Sequence, residues 1–108
     1  MTRKLNSKME LKDILKNARE KKSMLMREVA ALIEVDTAMI SKFEKGDRNP
    51  TRNQVEKLAD ILELDNNILM KIWLRDKLVN ELENEELALE ALKMAEKKIK
   101  ALNKKQQG

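Results

Sequence analysis

The side chains able to do chemistry in this chain are of few kinds: 23 Lys/Arg, 19 Asp/Glu, no Cys and no His among 108 residues. Without Cys or His there is no disulfide, no thiolate or imidazole zinc site, and no Cys–His or Ser–His catalysis. Carboxylates can still do acid–base work or bind Mg²⁺. Here, however, no paired acids stand beside a nucleophile or a Gly-rich phosphate loop, and Asp36 and Asp47 have structural work as a helix cap and a turn residue. A carboxylate-based metal enzyme is therefore disfavoured, and no catalytic residue, metal or cofactor is expected. The positive charges are unevenly placed. Residues 1–60 hold 14 Lys/Arg against 10 Asp/Glu, and residues 61–108 hold 9 against 9, so the whole excess of +4 lies in the first part. A localised basic excess is the electrostatic footprint of a module that binds phosphates.

The elements that must position these charges are helical. Two Gly, one Pro and 2% aromatic residues are too few for a β-sandwich or barrel, whereas abundant Ala, Leu, Lys and Glu suit an all-α chain. Arg3 and Lys4 open a basic arm over residues 1–7. Leu11, Ile14, Leu15 and Ala18 then recur at helical spacing and predict a first helix over about 8–21. Val29, Ala30, Leu32 and Ile33 mark a second, roughly 26–33. Asp36 caps a third helix beginning at Thr37, and Gly46 ends it. Thr51 and Gln54 form a capping box for a fourth helix carrying Val55, Leu58, Ala59 and Leu62. Asp65-Asn66-Asn67 caps a fifth, with Ile68, Leu69, Ile72 and Trp73.

A last stripe, Ala88, Leu92, Ala95, Ile99 and Leu102, follows a possible cap at Asn84. Whether it is a separate helix or continues the fifth is open at this level, and Lys104 to Gly108 are expected to fray. The apolar runs are short, so neither a membrane span nor a signal peptide is expected, and the default location is cytoplasmic.

Two short helices joined by a three-residue turn, Glu34-Val35-Asp36, form a helix-turn-helix. Ala30 is small where the two helices cross, Val35 fills the inside of the turn, and Ile40 and Phe43 anchor the second helix from below. That leaves Thr37, Ala38, Met39, Ser41 and Lys42 on outer or flanking positions.

Residues 11–64 resemble the lambda-repressor-like, Xre/Cro-type helix-turn-helix family. The resemblance is carried by Leu11 with Arg19-Glu20-Lys21-Lys22, by Glu28 through Ile33, by Val35 through Gly46, and by Asn49-Pro50-Thr51 with the following stripe. It implies an all-α fold with a five-helix DNA-binding domain, here 8–67, and the apolar stripe that follows is read beside it as a C-terminal helical dimerisation extension over 68–104. It also implies double-stranded DNA as partner, with a homodimer reading a pseudo-palindromic operator. Carried over by position, Thr37, Ala38, Met39 and Lys42 fall where the family contacts base edges; Lys42 would donate to guanine, and Thr37 or Ala38 would touch a thymine methyl. Ser41, Lys45, Arg48 and Asn49 fall where it meets phosphates, which sets register without reading sequence.

The chain departs from the family at two places. Leu25-Met26 stands where a Ser or Thr cap and a Gln are usual, leaving Arg27 to supply the phosphate contact. Glu34 stands where Gly is usual, which implies a non-Gly residue at positive φ and an acid facing the duplex. The C-terminal stripe is open to two readings, a helix packed back on its own domain or a dimer interface. The second is favoured, with Ile72, Trp73, Leu92, Ala95 and Ile99 as the expected interface, because an isolated amphipathic helix of this length is marginal in water. Trp73 also reads as a core anchor. The functional expectation is a repressor or autoregulator, of phage, antitoxin or restriction–modification-controller type, with any regulatory protein partner unknown. The alternative is an adaptor that keeps the fold but reads no DNA sequence.

Overall fold

The computed structural model describes residues 5–6 and 8–107. Most of the expected basic arm, Arg3 and Lys4 included, lies outside the described residues. Among these residues there are six helices and no strand: α1 (Leu11–Lys21), α2 (Met26–Leu32), α3 (Thr37–Lys45), α4 (Arg52–Ile61), α5 (Asn66–Leu82) and α6 (Ala88–Gln107). The fold is all-α, as the composition implies. α1 starts at Leu11 rather than near residue 8 because Asn6 turns the chain first. Its side-chain Oδ1 accepts the Lys8 amide at 2.9 Å, and its carbonyl accepts the Met9 amide at 3.2 Å.

The helix starts follow local chemistry. Asp36 Oδ1 accepts the Met39 amide at 2.8 Å, opening α3. Thr51 and Gln54 exchange bonds of 3.2 and 2.9 Å at the start of α4, and Asp65 Oδ1 accepts the Ile68 amide at 3.1 Å for α5. At α2 only half a capping box exists. Glu28 accepts the Leu25 amide at 2.8 Å, but Leu25 has no acceptor to return.

The first four helices all end in the same way. An amide two or three residues past each end reaches back five positions: Met24 to Arg19, Val35 to Ala30, Asp47 to Lys42 and Leu64 to Ala59. This is the Schellman arrangement, and it needs a left-handed residue just before that amide. Gly46 supplies one at φ 79°, where a β-carbon would also come within 3.0 Å of the Lys12 side chain. Ser23, Glu34 and Glu63 take the same conformation at φ 55°, 59° and 55° despite having side chains. Each of those three turns is followed by Met24, Val35 or Leu64, which packs on the core and helps hold the ending closed.

The chain divides into two compact units, the first running through Asp76 and the second from Lys77. In the first, one apolar core joins α1 to α5: Leu11, Ile14 and Leu15; Val29, Ala30 and Ile33; Ile40 and Phe43; Val55, Leu58, Ala59 and Leu62; Leu69, Met70, Ile72 and Trp73. The division falls later than the expected 67/68 boundary because Leu69 to Trp73 belong to this core.

In the second unit none of residues 77–105 is buried. α6 is separate from α5, and the tail expected to fray is helical through Gln107. Asn84 is not its cap: it lies in the turn, where the Glu85 amide bonds Leu82 O at 3.0 Å and the Ala88 amide bonds Glu85 O at 3.2 Å.

Candidate nucleic-acid interface

α2, the turn and α3 make the helix-turn-helix as the residues dictate. Ala30 and Val29 are buried on α2, Val35 is half-buried in the turn, and Ile40 and Phe43 are buried under α3. At about 100° per residue, the inner side of α3 takes Met39, Ile40, Phe43 and Glu44. The remaining residues, Thr37, Ala38, Ser41, Lys42 and Lys45, share an arc of about 140° on the other side. Thr37, Ala38, Lys42 and Lys45 are exposed and Ser41 is half-buried. Met39 lies at the edge of the arc, half-buried against the core, so packing takes part of its side chain.

The phosphate candidates lie on both sides of this face in sequence. Arg27 is exposed in the first turn of α2, and Arg48 and Asn49 are exposed in the loop after Gly46. That loop is fixed at both ends. The Lys42 carbonyl accepts the amides of Asp47 at 2.9 Å and Arg48 at 3.4 Å, tying the loop to α3. At the far end Pro50 is buried, and its carbonyl accepts the Trp73 indole N–H at 2.8 Å. Arg52 lies 6.0 Å from the centre of the Trp73 ring, within cation–π reach.

Ile72 and Trp73, expected at a subunit interface, are 3% and 7% exposed inside this single chain. Their surface is already consumed by the core and by the Pro50 bond. Leu92 is half-buried, whereas Ala95 and Ile99 are exposed.

One constellation was not visible in the sequence. Glu44 on the inner side of α3 is 9% exposed and receives a two-pronged contact from Arg19 on α1: Nε to Oε2 at 2.7 Å and Nη2 to Oε1 at 2.9 Å. The third nitrogen, Nη1, donates to Met24 O at 2.9 Å, so one guanidinium holds α1, α3 and the loop before α2. The hydrogen bond to Glu44 raises the Arg19 pKa above its ordinary value; burial opposes this, and the charges of Glu44 and Glu20 add to it. Arg19 and Glu44 are 25 positions apart, and no local period links them. The only signal was a buried position on the α3 pattern filled by an acid.

Among the described residues no group of acids is arranged to hold a metal ion, and no helix is long and apolar enough to cross a membrane.

A short all-α domain whose second helix-turn-helix segment turns a hydroxyl- and lysine-bearing face outward belongs to the class of DNA-binding helix-turn-helix modules. Residues 15–65 match the family described as Helix-turn-helix and form a lambda-repressor-like domain. No curated protein matches the chain.

Proposed function

We propose that the chain is a sequence-specific transcriptional regulator, a homodimeric repressor or autoregulator working in the cytoplasm on a pseudo-palindromic operator. The observation that carries this reading is the division of α3. Its inner side is used up by Ile40, Phe43 and Glu44, while Thr37, Ala38 and Lys42 stay exposed with nothing structural to do. In this reading α3 enters the major groove, Lys42 donates to guanine O6 or N7, and Thr37 or Ala38 meets a thymine methyl. Met39 contacts bases only with the part of its side chain that the core leaves free. Arg27, Ser41, Lys45, Arg48 and Asn49 hold the phosphates and set the register. In this reading regulation follows from protein concentration and dimerisation.

Fluorescence anisotropy against the chain's own upstream DNA and a scrambled duplex, at two salt concentrations, tests the reading. Tight, salt-sensitive binding that prefers the upstream duplex is expected. Lys42→Ala should weaken it by about 1–3 kcal/mol and relax selectivity at one base pair in each half-site. An adaptor function is favoured by one observation: Leu25 and Leu32, near the two ends of α2, are 49% and 58% exposed. A random-sequence selection that enriches no motif would decide for the adaptor.

A further inference from the structure

The second unit leaves much of a helix face uncovered: Ala88 and Leu92 are half-buried, and Ala95, Ile99 and Leu102 are exposed. On α6, Ala88, Leu92, Ala95, Ile99 and Leu102 recur at four-three-four-three spacing, and Ile99 and Leu102 are 56% and 51% exposed. We propose that this stripe pairs antiparallel with the same stripe of a second copy of the chain, Ala88 of one copy facing Ile99 of the other and Leu92 facing Ala95. The inference rests on the homodimer reading above and adds to it the helix, its direction and its register.

Two independent features select the direction. The first is size. In a parallel pair each residue faces itself, so Ala88 and Ala95 layers would be thin while Leu92 and Ile99 layers would hold the helices apart. In the antiparallel register every alanine of the stripe from 88 to 99 faces a leucine or isoleucine, giving four layers of one spacing, with Leu102 just beyond the paired segment, opposite Glu85.

The second feature is charge. Residues 85–92 contain Glu85, Glu86 and Glu90 and no Lys or Arg, whereas residues 93–105 contain six lysines against Glu96 alone. That one acid is already paired with Lys100 at 2.9 Å. A parallel pair sets acid beside acid and lysine beside lysine; an antiparallel pair sets each acidic end beside the basic end of the other copy. The helix's own dipole accounts for Glu90 and Lys105, but its influence fades within a turn of each end. Lys97, Lys98 and Lys100 lie further in. A polyanion such as DNA or an anionic membrane would match the lysines and be repelled by the acidic end, so a second copy fits both ends better.

Because the chain has no cysteine, a single introduced one can be spin-labelled specifically. Glu90→Cys and Lys104→Cys both lie off the apolar stripe, in full-length protein. In the proposed register the centre lies between positions 93 and 94, so label pairs are separated along the axis by about 10 Å at position 90 and about 32 Å at position 104. A parallel pair gives the same distance at both positions. The expected result is a dimeric mass by light scattering with a clearly longer label distance at 104 than at 90.

Equal distances in a dimer would overturn the inference and leave the dimer intact. A dimer with no measurable dipolar coupling at either site would place the interface elsewhere, with the same consequence. A monomeric mass would overturn the dimer reading itself. So would α6 labels immobilised only on adding a non-specific duplex or anionic vesicles, which would give this face to a polyanion. Loss of DNA binding with the antiparallel distances retained would instead count against the operator reading alone.

Discussion

α4 and α6 are built to the same pattern and end in opposite situations. Each carries apolar residues at three- and four-residue spacing with charges on the other side. In α4 the stripe Val55, Leu58 and Ala59 is 0–2% exposed, with Leu62 just beyond at 4%. In α6 Ile99 and Leu102 remain more than half exposed, and none of the side chains of residues 77–105 is buried. An amphipathic pattern states that a face needs covering, and it does not state by what. For α4 the cover comes from the same chain, in the core that joins α1 to α5. For α6 Ala88 and Leu92 are half-buried, and Ala95, Ile99 and Leu102 stay exposed.

The polar contacts divide in the same way. Arg19 and Glu44, with side chains 12% and 5% exposed, form a pair inside the first unit. Lys100 and Glu96, at 75% and 66%, form one on the surface of the second. The first cannot fall back on water if one partner is lost; the second can.

Breaking these two pairs should separate the units most sharply. Glu44→Ala strands the Arg19 guanidinium and is expected to cost about 3–5 kcal/mol in denaturant unfolding. Glu96→Ala should cost under about 0.5 kcal/mol. The pH dependence has a defined sign. Since Glu44 raises the Arg19 pKa, the stability Arg19 contributes is fully present below the ordinary arginine range and is lost only above it, as pH rises through the folded value. Unfolding midpoints from pH 6 to 10 should show no contribution from Arg19, and a steep fall in that window traceable to it would contradict the assigned pair.

The next contrast is apolar. Leu69→Ala, at a position with 0% exposure, should lower stability by about 2–5 kcal/mol through lost burial and a cavity. Ile99→Ala should leave the unfolding of the first unit unchanged and lower the concentration-dependent part of the transition, read by melting at several protein concentrations. A concentration-independent melt for both parent and variant would mean that α6 has no second copy to lose.

The smallest effect concerns the turn before α3. Glu34 sits at φ 59°, so Glu34→Gly removes a left-handed strain of about 1–2 kcal/mol while adding about 0.5–1 kcal/mol of unfolded-state freedom. A net gain of about 0.5–1 kcal/mol is expected, seen as a higher Tm. Removing the acid should also tighten DNA binding at low salt.

Much of the site was legible in the sequence because it depends on residues three or four apart. Asp36 as cap, Gly46 as terminator, the Thr51–Gln54 box and the inner residues Ile40 and Phe43 are all local signals, and together they fix which arc of α3 faces outward. The errors were of another kind. Asn84 has the right type for a cap, but the backbone amides around it close a turn that delays α6 to Ala88. Asn6 likewise spends its side chain on a turn, and α1 starts later than its composition permits. Ser23 and Glu63 end helices in a conformation their residue types disfavour, held there by the contacts of Met24 and Leu64 with the core.

The sequence by itself determined the first four helices, the start of the fifth and the outward face of α3, because each follows from capping and periodicity within a few residues. Only the tertiary structure decided which apolar faces find cover inside the chain. It assigned Ile72 and Trp73 to the core, joined Trp73 to Pro50 across 23 positions and Arg19 to Glu44 across 25, separated α6 from α5, and left Ala95, Ile99 and Leu102 exposed. Those outcomes depend on which distant surfaces meet, and periodicity along one segment carries no information about the segment that will lie against it.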